Sequence, residues 1–142
     1  MNADKVFVDT NILVYALDAD QPAKRGVSLE LIERLGTAGC MVLSTQVIQE
    51  TYSAATRKLK IEPRLVEKAL NALFGHPVVT LDLALIQRGM RRHQDDQLAF
   101  YDALIVESAL AAECSVLASE DFQSGRQFES LRVTNPFEES IA

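Results

Sequence analysis

The sequence is short of the residues that staple or interrupt a chain, with two cysteines, six glycines and four prolines in 142 positions. So little Gly and Pro excludes a collagen-like or low-complexity disordered chain. Two cysteines are too few for a disulfide framework. Cys40 and Cys114 each open an apolar run, CMVL and CSVLAS, and are expected to be reduced core residues, because a buried free Cys behaves as a small hydrophobe. The two histidines, His76 and His93, have no Cys or His at zinc spacing, which removes a structural zinc site. The opening segment MNADKVFVDTNILVYALDAD lacks a basic region before its apolar stretch, and aspartates flank that stretch. Neither a signal peptide nor a membrane span is expected, and the expected location is the cytoplasm. No Walker sequence, GxGxxG or GxSxG occurs, so a nucleotide cradle and a serine hydrolase have no motif to stand on.

What remains is a chain with the size of one ordinary domain, 48% hydrophobic and 24% charged, which can bury a core unaided. No repeat or linker divides it, so a single domain over residues 1–142 is expected. Strand-length apolar runs occur at Lys5–Val8, Cys40–Leu43, Val78–Leu81, Ser115–Ala118 and Leu131–Thr134. Helical patterns fill the gaps at Thr10–Leu17, Arg25–Leu35, Gln46–Lys60, Arg64–Phe74, Leu83–His93 and Leu98–Ala112. Strands that alternate with helices and are apolar along their length predict an α/β sandwich with a mostly parallel sheet covered on both faces. Sites in such sheets lie beyond the carboxyl ends of the strands.

Four acids draw attention to those ends. Asp9 follows the run KVFV and opens the helical pattern NILVYAL, where a helix cap would be the plainest role. Asp121 comes after SVLAS, with Ser119 two positions earlier, and a turn aspartate would suffice there. Asp102 stands in LAFYDALIVESALAA, a helix apolar almost all round, where an ionised carboxylate needs a charge or hydrogen bonds to offset its burial. Glu50 lies in STQVIQETYSAATRKLK, at the border of an inward face predicted to comprise Val47, Ile48, Tyr52 and Ala55. Each has a plain structural reading alone. Two carboxylates at strand ends and two on helices packed nearby together form the all-oxygen set that Mg²⁺ or Mn²⁺ requires.

These segments resemble the PIN domain, the nuclease fold of VapC-type toxins in toxin-antitoxin pairs. The resemblance rests on VDTNILVYA, STQVIQETY, FYDALIVESAL and LASEDFQSG, in that order, and spans nearly the whole chain. It implies a three-layer sandwich around a five-stranded, mostly parallel sheet. It also implies metal-dependent cleavage of RNA, a homodimer and, for a toxin, inhibition by a small antitoxin protein. The family's four acids fall on Asp9, Glu50, Asp102 and Asp121, and its polar helpers on Thr10, Asn11 and Ser119. Ser119 stands where many relatives carry Thr, and Glu120 adds a carboxylate that is expected to face outward.

The net charge of −6 argues against a nucleic-acid partner, since phosphate binding normally needs a basic face. Cations held by the acids would reverse the field locally. Basic residues for flanking phosphates are sought at Arg57 and Lys58, which with Lys60 end the Glu50 helix, and at Arg91 and Arg92, which cluster with Arg88. Two other classes compete. A phosphatase with an Asp nucleophile after the first strand expects a second aspartate two residues on, where this chain has Asn11. An interaction module that had lost its chemistry would have no need of all four acids.

Overall fold

The structure, a computed structural model, describes residues 4–141. The first three residues of the segment inspected for a leader, and Ala142, lie outside the described residues. Twelve elements follow in order: β1 (Val6–Val8), α1 (Thr10–Leu17), α2 (Pro22–Ala38), β2 (Met41–Ser44), α3 (Thr45–Arg57) and α4 (Pro63–Asn71). They continue as β3 (Val78–Val79), α5 (Leu83–Asp96), α6 (Phe100–Ala111), β4 (Val116–Ala118), β5 (Gln127–Phe128) and β6 (Leu131–Thr134). They form one sheet in the order β3-β2-β1-β4-β6-β5, the middle layer of an α/β sandwich.

β1 lies at the centre, with Phe7 paired in parallel register to Val42 of β2 on one side and Leu117 of β4 on the other. Every residue of β1 and β2 is buried, which requires cover on both faces of the sheet. The five strands expected from apolar runs are present and parallel. The sheet has a sixth, β5, which turns back antiparallel on β6. Its two residues, one exposed and one buried, are too few to make a periodic signal. β3 is likewise only Val78–Val79, shorter than its apolar run.

Local chemistry sets the helix ends. α2 starts on Pro22, three residues before the apolar periodicity, because Pro is pre-organised for a first turn. It stops at Gly39, whose φ of 72° is the left-handed conformation that favours glycine. Ser44 and Asp82 cap α3 and α5 by accepting hydrogen bonds from the Val47 and Leu85 amides. α5 and α6 pack so closely at Gly89 that a Cβ there would meet Leu104 Cδ2 at 2.5 Å. One helix face differs from expectation: α3 buries Gln46, Val47, Thr51 and Ala55, whereas Tyr52 is exposed. Cys40 and Cys114 are free and buried, and burial pushes the Cys114 thiol up to about 12. Among the described residues no helix is long and apolar enough to cross a membrane.

Candidate active site

Asp9 is the residue at which the central strand becomes a helix. Its amide donates to the Ala118 carbonyl at the end of β4 (3.0 Å), so β1 and β4 finish side by side and deliver Asp9 and Ser119 to the same point. The Asp9 side chain is only 4% exposed. Its Oδ1 accepts from the Thr10 amide at 2.7 Å, the expected cap contact. Its Oδ2 accepts from Ser119 Oγ at 2.7 Å. Asp9 is thus a helix cap through one oxygen, while its other oxygen is held by Ser119.

Ser119 is a junction. Its hydroxyl donates to Asp9 and accepts from Asn11 Nδ2 (3.3 Å) and from the Asp121 amide (3.1 Å). Asn11 Oδ1 in turn accepts from the Glu120 amide (3.3 Å). The turn after β4 is thereby tied to the first turn of α1, which brings Asp121 to the rim beside Asp9. Both polar atoms of the Asn11 side chain engage in this tie, so the position two residues after Asp9 joins the loop to the helix.

A cleft of about 410 Å³ opens there, lined by Asp9, Thr10, Asn11, Glu50, Asp102 and Asp121 among others. The four acids expected to converge therefore share one cavity. As they stand, no three Asp, Glu, His or Cys side chains among the described residues are gathered closely enough to clamp an ion. They nevertheless act on one another. Burial pushes the Asp9 carboxyl up to about 7, against the Ser119 and Thr10 hydrogen bonds, and the charges of Asp121 and Asp102 push it further. Asp102 is half-buried and raised above the usual carboxylate range by desolvation and then by Asp121.

Glu50 keeps much of its side chain open to solvent. The protein around its carboxylate still raises its pKa, opposed by the Gln46 hydrogen bond and aided by the charges of Asp102 and Asp121. No Lys or Arg among the described residues forms an ion pair with any of the four. An uncompensated carboxylate cluster favours a divalent cation, and the donors are all oxygen, as a hard cation needs. Thr10 Oγ1 is also buried without a hydrogen-bond partner. It stands near enough to Glu50 to favour its ionised form, yet lacks the geometry of a hydrogen bond.

Several contributors escaped the sequence. Gln46 is 5% exposed and its amide donates both to Glu50 Oε1 (2.9 Å) and to the Tyr101 carbonyl (3.1 Å). Its spacing of four from Glu50 on one helix was the available signal. Glu120 does not simply face outward: it lines the cleft and accepts from Tyr15 Oη (2.7 Å) and Lys24 Nζ. Burial works against its charge, but those two hydrogen bonds outweigh burial and lower its pKa.

The basic residues separate into two places. Lys58 lines the acid cleft, and Arg57 and Lys58 line an adjoining recess with Thr10 and Glu50. Arg91 and Arg92 instead border a recess with Arg88, Asp95, Asp96 and Glu107. Arg92 is occupied there by Asp96 (2.8 Å), Glu129 (2.7 Å) and the buried Glu107 (3.5 Å). The buried acid of α6 that pairs with an arginine is thus Glu107, not Asp102.

The family model described as the PIN domain matches residues 6–126. Among solved structures, the fold is similar to the crystal structure of Mycobacterium tuberculosis VapC20, described as a sarcin-ricin loop cleaving toxin. The TM-score is 0.64 at 18% identity, over 82% of this chain and 90% of that one. No curated protein matches this chain in sequence.

Proposed function

The chain belongs to the PIN domain family, and from that premise we propose that it is a metal-dependent endoribonuclease, the toxin of a toxin-antitoxin pair. The observation that carries the reading is the single cleft lined by Asp9, Glu50, Asp102 and Asp121, none of them paired with a Lys or Arg among the described residues. Asp9 and Asp102 would hold one Mg²⁺ or Mn²⁺ ion, and Glu50 and Asp121 a second ion or its waters. When bound, such an ion supplies a Lewis acid for the phosphate and an acidified water for in-line attack.

The chain's own residues do the arranging. Ser119 and the Thr10 amide fix both oxygens of Asp9, and Gln46 aims Glu50. Arg57 and Lys58, beside the cleft, bind phosphates flanking the scissile one. Arg91 is exposed and offers a more distant contact, whereas Arg92 serves the fold. In the reaction, water oxygen bonds to phosphorus, the bond from phosphorus to the 3′ oxygen breaks, and that oxygen leaves with a proton. Single-stranded or looped RNA suits an open cleft, since splayed phosphates reach it more easily than a duplex interior.

A homodimer in the cytoplasm, restrained by a small antitoxin protein, completes the reading. VapC20, similar in fold, is described as a sarcin-ricin loop cleaving toxin. The deciding experiment incubates the protein with a structured RNA carrying single-stranded loops, in Mn²⁺ or Mg²⁺ and in EDTA. Cleavage that EDTA stops, leaving 5′-phosphate and 3′-hydroxyl ends, is expected. Ends carrying a 2′,3′-cyclic phosphate would rule out activated water as the nucleophile.

A further inference from the structure

Among the uncharged residues of the cleft, one is an aromatic ring held out in solvent. Tyr101 lines the cleft, immediately before Asp102 on the first turn of α6. It is 66% exposed, the most exposed aromatic residue among the described ones. An aromatic ring contributes most when buried, so a ring held in solvent beside a polar cleft has surface left for a partner. The ring is not loose. Phe100 packs against it with centroids 5.4 Å apart at 58°, and Gln46 holds the Tyr101 carbonyl with the same amide that holds Glu50. One side chain therefore fixes the aromatic residue and an acid of the cleft relative to each other.

We propose that Tyr101 is the platform on which an unpaired nucleobase next to the scissile phosphate stacks. The proposal rests on the ribonuclease reading and adds to it a residue that selects single-stranded substrate. In a duplex both faces of a base are covered by its neighbours, so only a splayed base can lie on an outside ring. Stacking also answers the charge problem. A chain of net charge −6 gains little affinity from its overall field, whereas stacking is insensitive to charge and accepts any base. Arg57 and Lys58, which line a recess with Glu50 beside the cleft, then need only hold the adjacent backbone.

The test uses short single-stranded oligoribonucleotides carrying 2-aminopurine at successive positions, whose fluorescence falls on stacking. They are mixed with the full chain in Mn²⁺, with Asp102→Asn present so that the strand stays intact. Quenching at one position is expected with Tyr101, retained by Tyr101→Phe and lost in Tyr101→Ala. In the otherwise wild-type chain, Tyr101→Ala should raise KM about tenfold with kcat nearly unchanged, and Tyr101→Phe should behave as wild type. Equal KM for Tyr101→Ala and wild type on an RNA that wild type cuts would overturn the platform and leave the nuclease reading intact. A change in sedimentation on Tyr101→Ala would place the ring between copies of the chain and also overturn it. If wild type cuts no RNA in Mn²⁺, the nuclease reading fails by itself, and quenching that is the same with and without Tyr101 overturns the stacking role independently of cleavage.

Discussion

Ser119 Oγ lies 2.7 Å from Asp9 Oδ2 and donates to it, joining the end of β4 to the end of β1 across 110 residues of sequence. The bond favours ionised Asp9 against the desolvation that opposes it. Ser119→Ala removes that support and frees the Asp121 amide from its acceptor. The substitution should cost about 1 kcal/mol of stability, as for a typical lost hydrogen bond. It should also move the acid limb of the cleavage rate toward higher pH, because the Asp9 proton becomes harder to remove. Thermal melts and a pH–rate profile of the variant measure the two effects, and an unmoved acid limb would detach Ser119 from Asp9 ionisation.

Asp9 makes the metal-free protein sensitive to pH in a direction opposite to most carboxylates. Its folded pKa is raised from 3.8 to about 7, so the folded state holds the proton more tightly than the unfolded chain. Its stabilising share is complete below the unfolded pKa of 3.8 and is lost as pH rises through about 7. In EDTA, wild type should therefore lose stability between pH 4 and pH 8 relative to Asp9→Asn, by on the order of 3 kcal/mol. Denaturant melts of both proteins across that range provide the difference curve. Two parallel curves would show that Asp9 ionises without penalty.

The two basic clusters predict opposite phenotypes. Arg92 joins α5 to α6 through Glu107 and to the turn after β5 through Glu129. Arg92→Ala strands the buried Glu107 and should destabilise the fold by about 2 kcal/mol, less than for a wholly buried pair because the site is partly wet. RNA binding by the folded variant should be close to wild type. Arg57→Ala with Lys58→Ala should leave the melting temperature almost unchanged and reduce the salt slope of RNA binding by about two phosphate contacts. Binding titrations at several salt concentrations compare them. A flattened slope for Arg92→Ala with none for the Arg57, Lys58 pair would exchange the two roles.

What the sequence made legible were features with a local period or boundary. The parallel strands announced themselves as short apolar runs, and Asp9 and Asp121 were visible because Asp9 directly follows one and Asp121 stands in the turn just beyond another. Asp102 stood out as a charge in an apolar helix, although the helix carries a second, Glu107, that is more deeply buried and answered by an arginine fifteen residues earlier. The ties of Glu120 to Tyr15 and Lys24 cross 105 and 96 residues, and nothing periodic encodes such pairings. On α3 the expected inward positions Val47 and Ala55 are buried, but between them small Thr51 is the buried residue while Tyr52 faces out, and a buried position in a close-packed core is chosen by volume as well as hydrophobicity. β5 escaped for a different reason: its two residues carry no period, and it is a strand only through its partner β6.

Asp102 offers the sharpest separation of a metal ligand from a structural acid. It makes no ion pair among the described residues, and both desolvation and the charge of Asp121 oppose its ionisation. Asp102→Asn keeps the shape and removes one repelling charge. The metal-free variant should therefore be more stable than wild type at neutral pH, by about 1 kcal/mol once solvent screening of a half-buried group is allowed for. The order should reverse with Mn²⁺: wild type gains stability by mass action with the ion, whereas the variant, lacking one anionic oxygen donor, gains much less. Its cleavage of RNA should fall by orders of magnitude, since the loss is made at the reacting phosphate. Paired melts in EDTA and in Mn²⁺ decide the matter without relying on activity. A variant that melts below wild type in EDTA and shifts equally with Mn²⁺ would return Asp102 to an ordinary structural role.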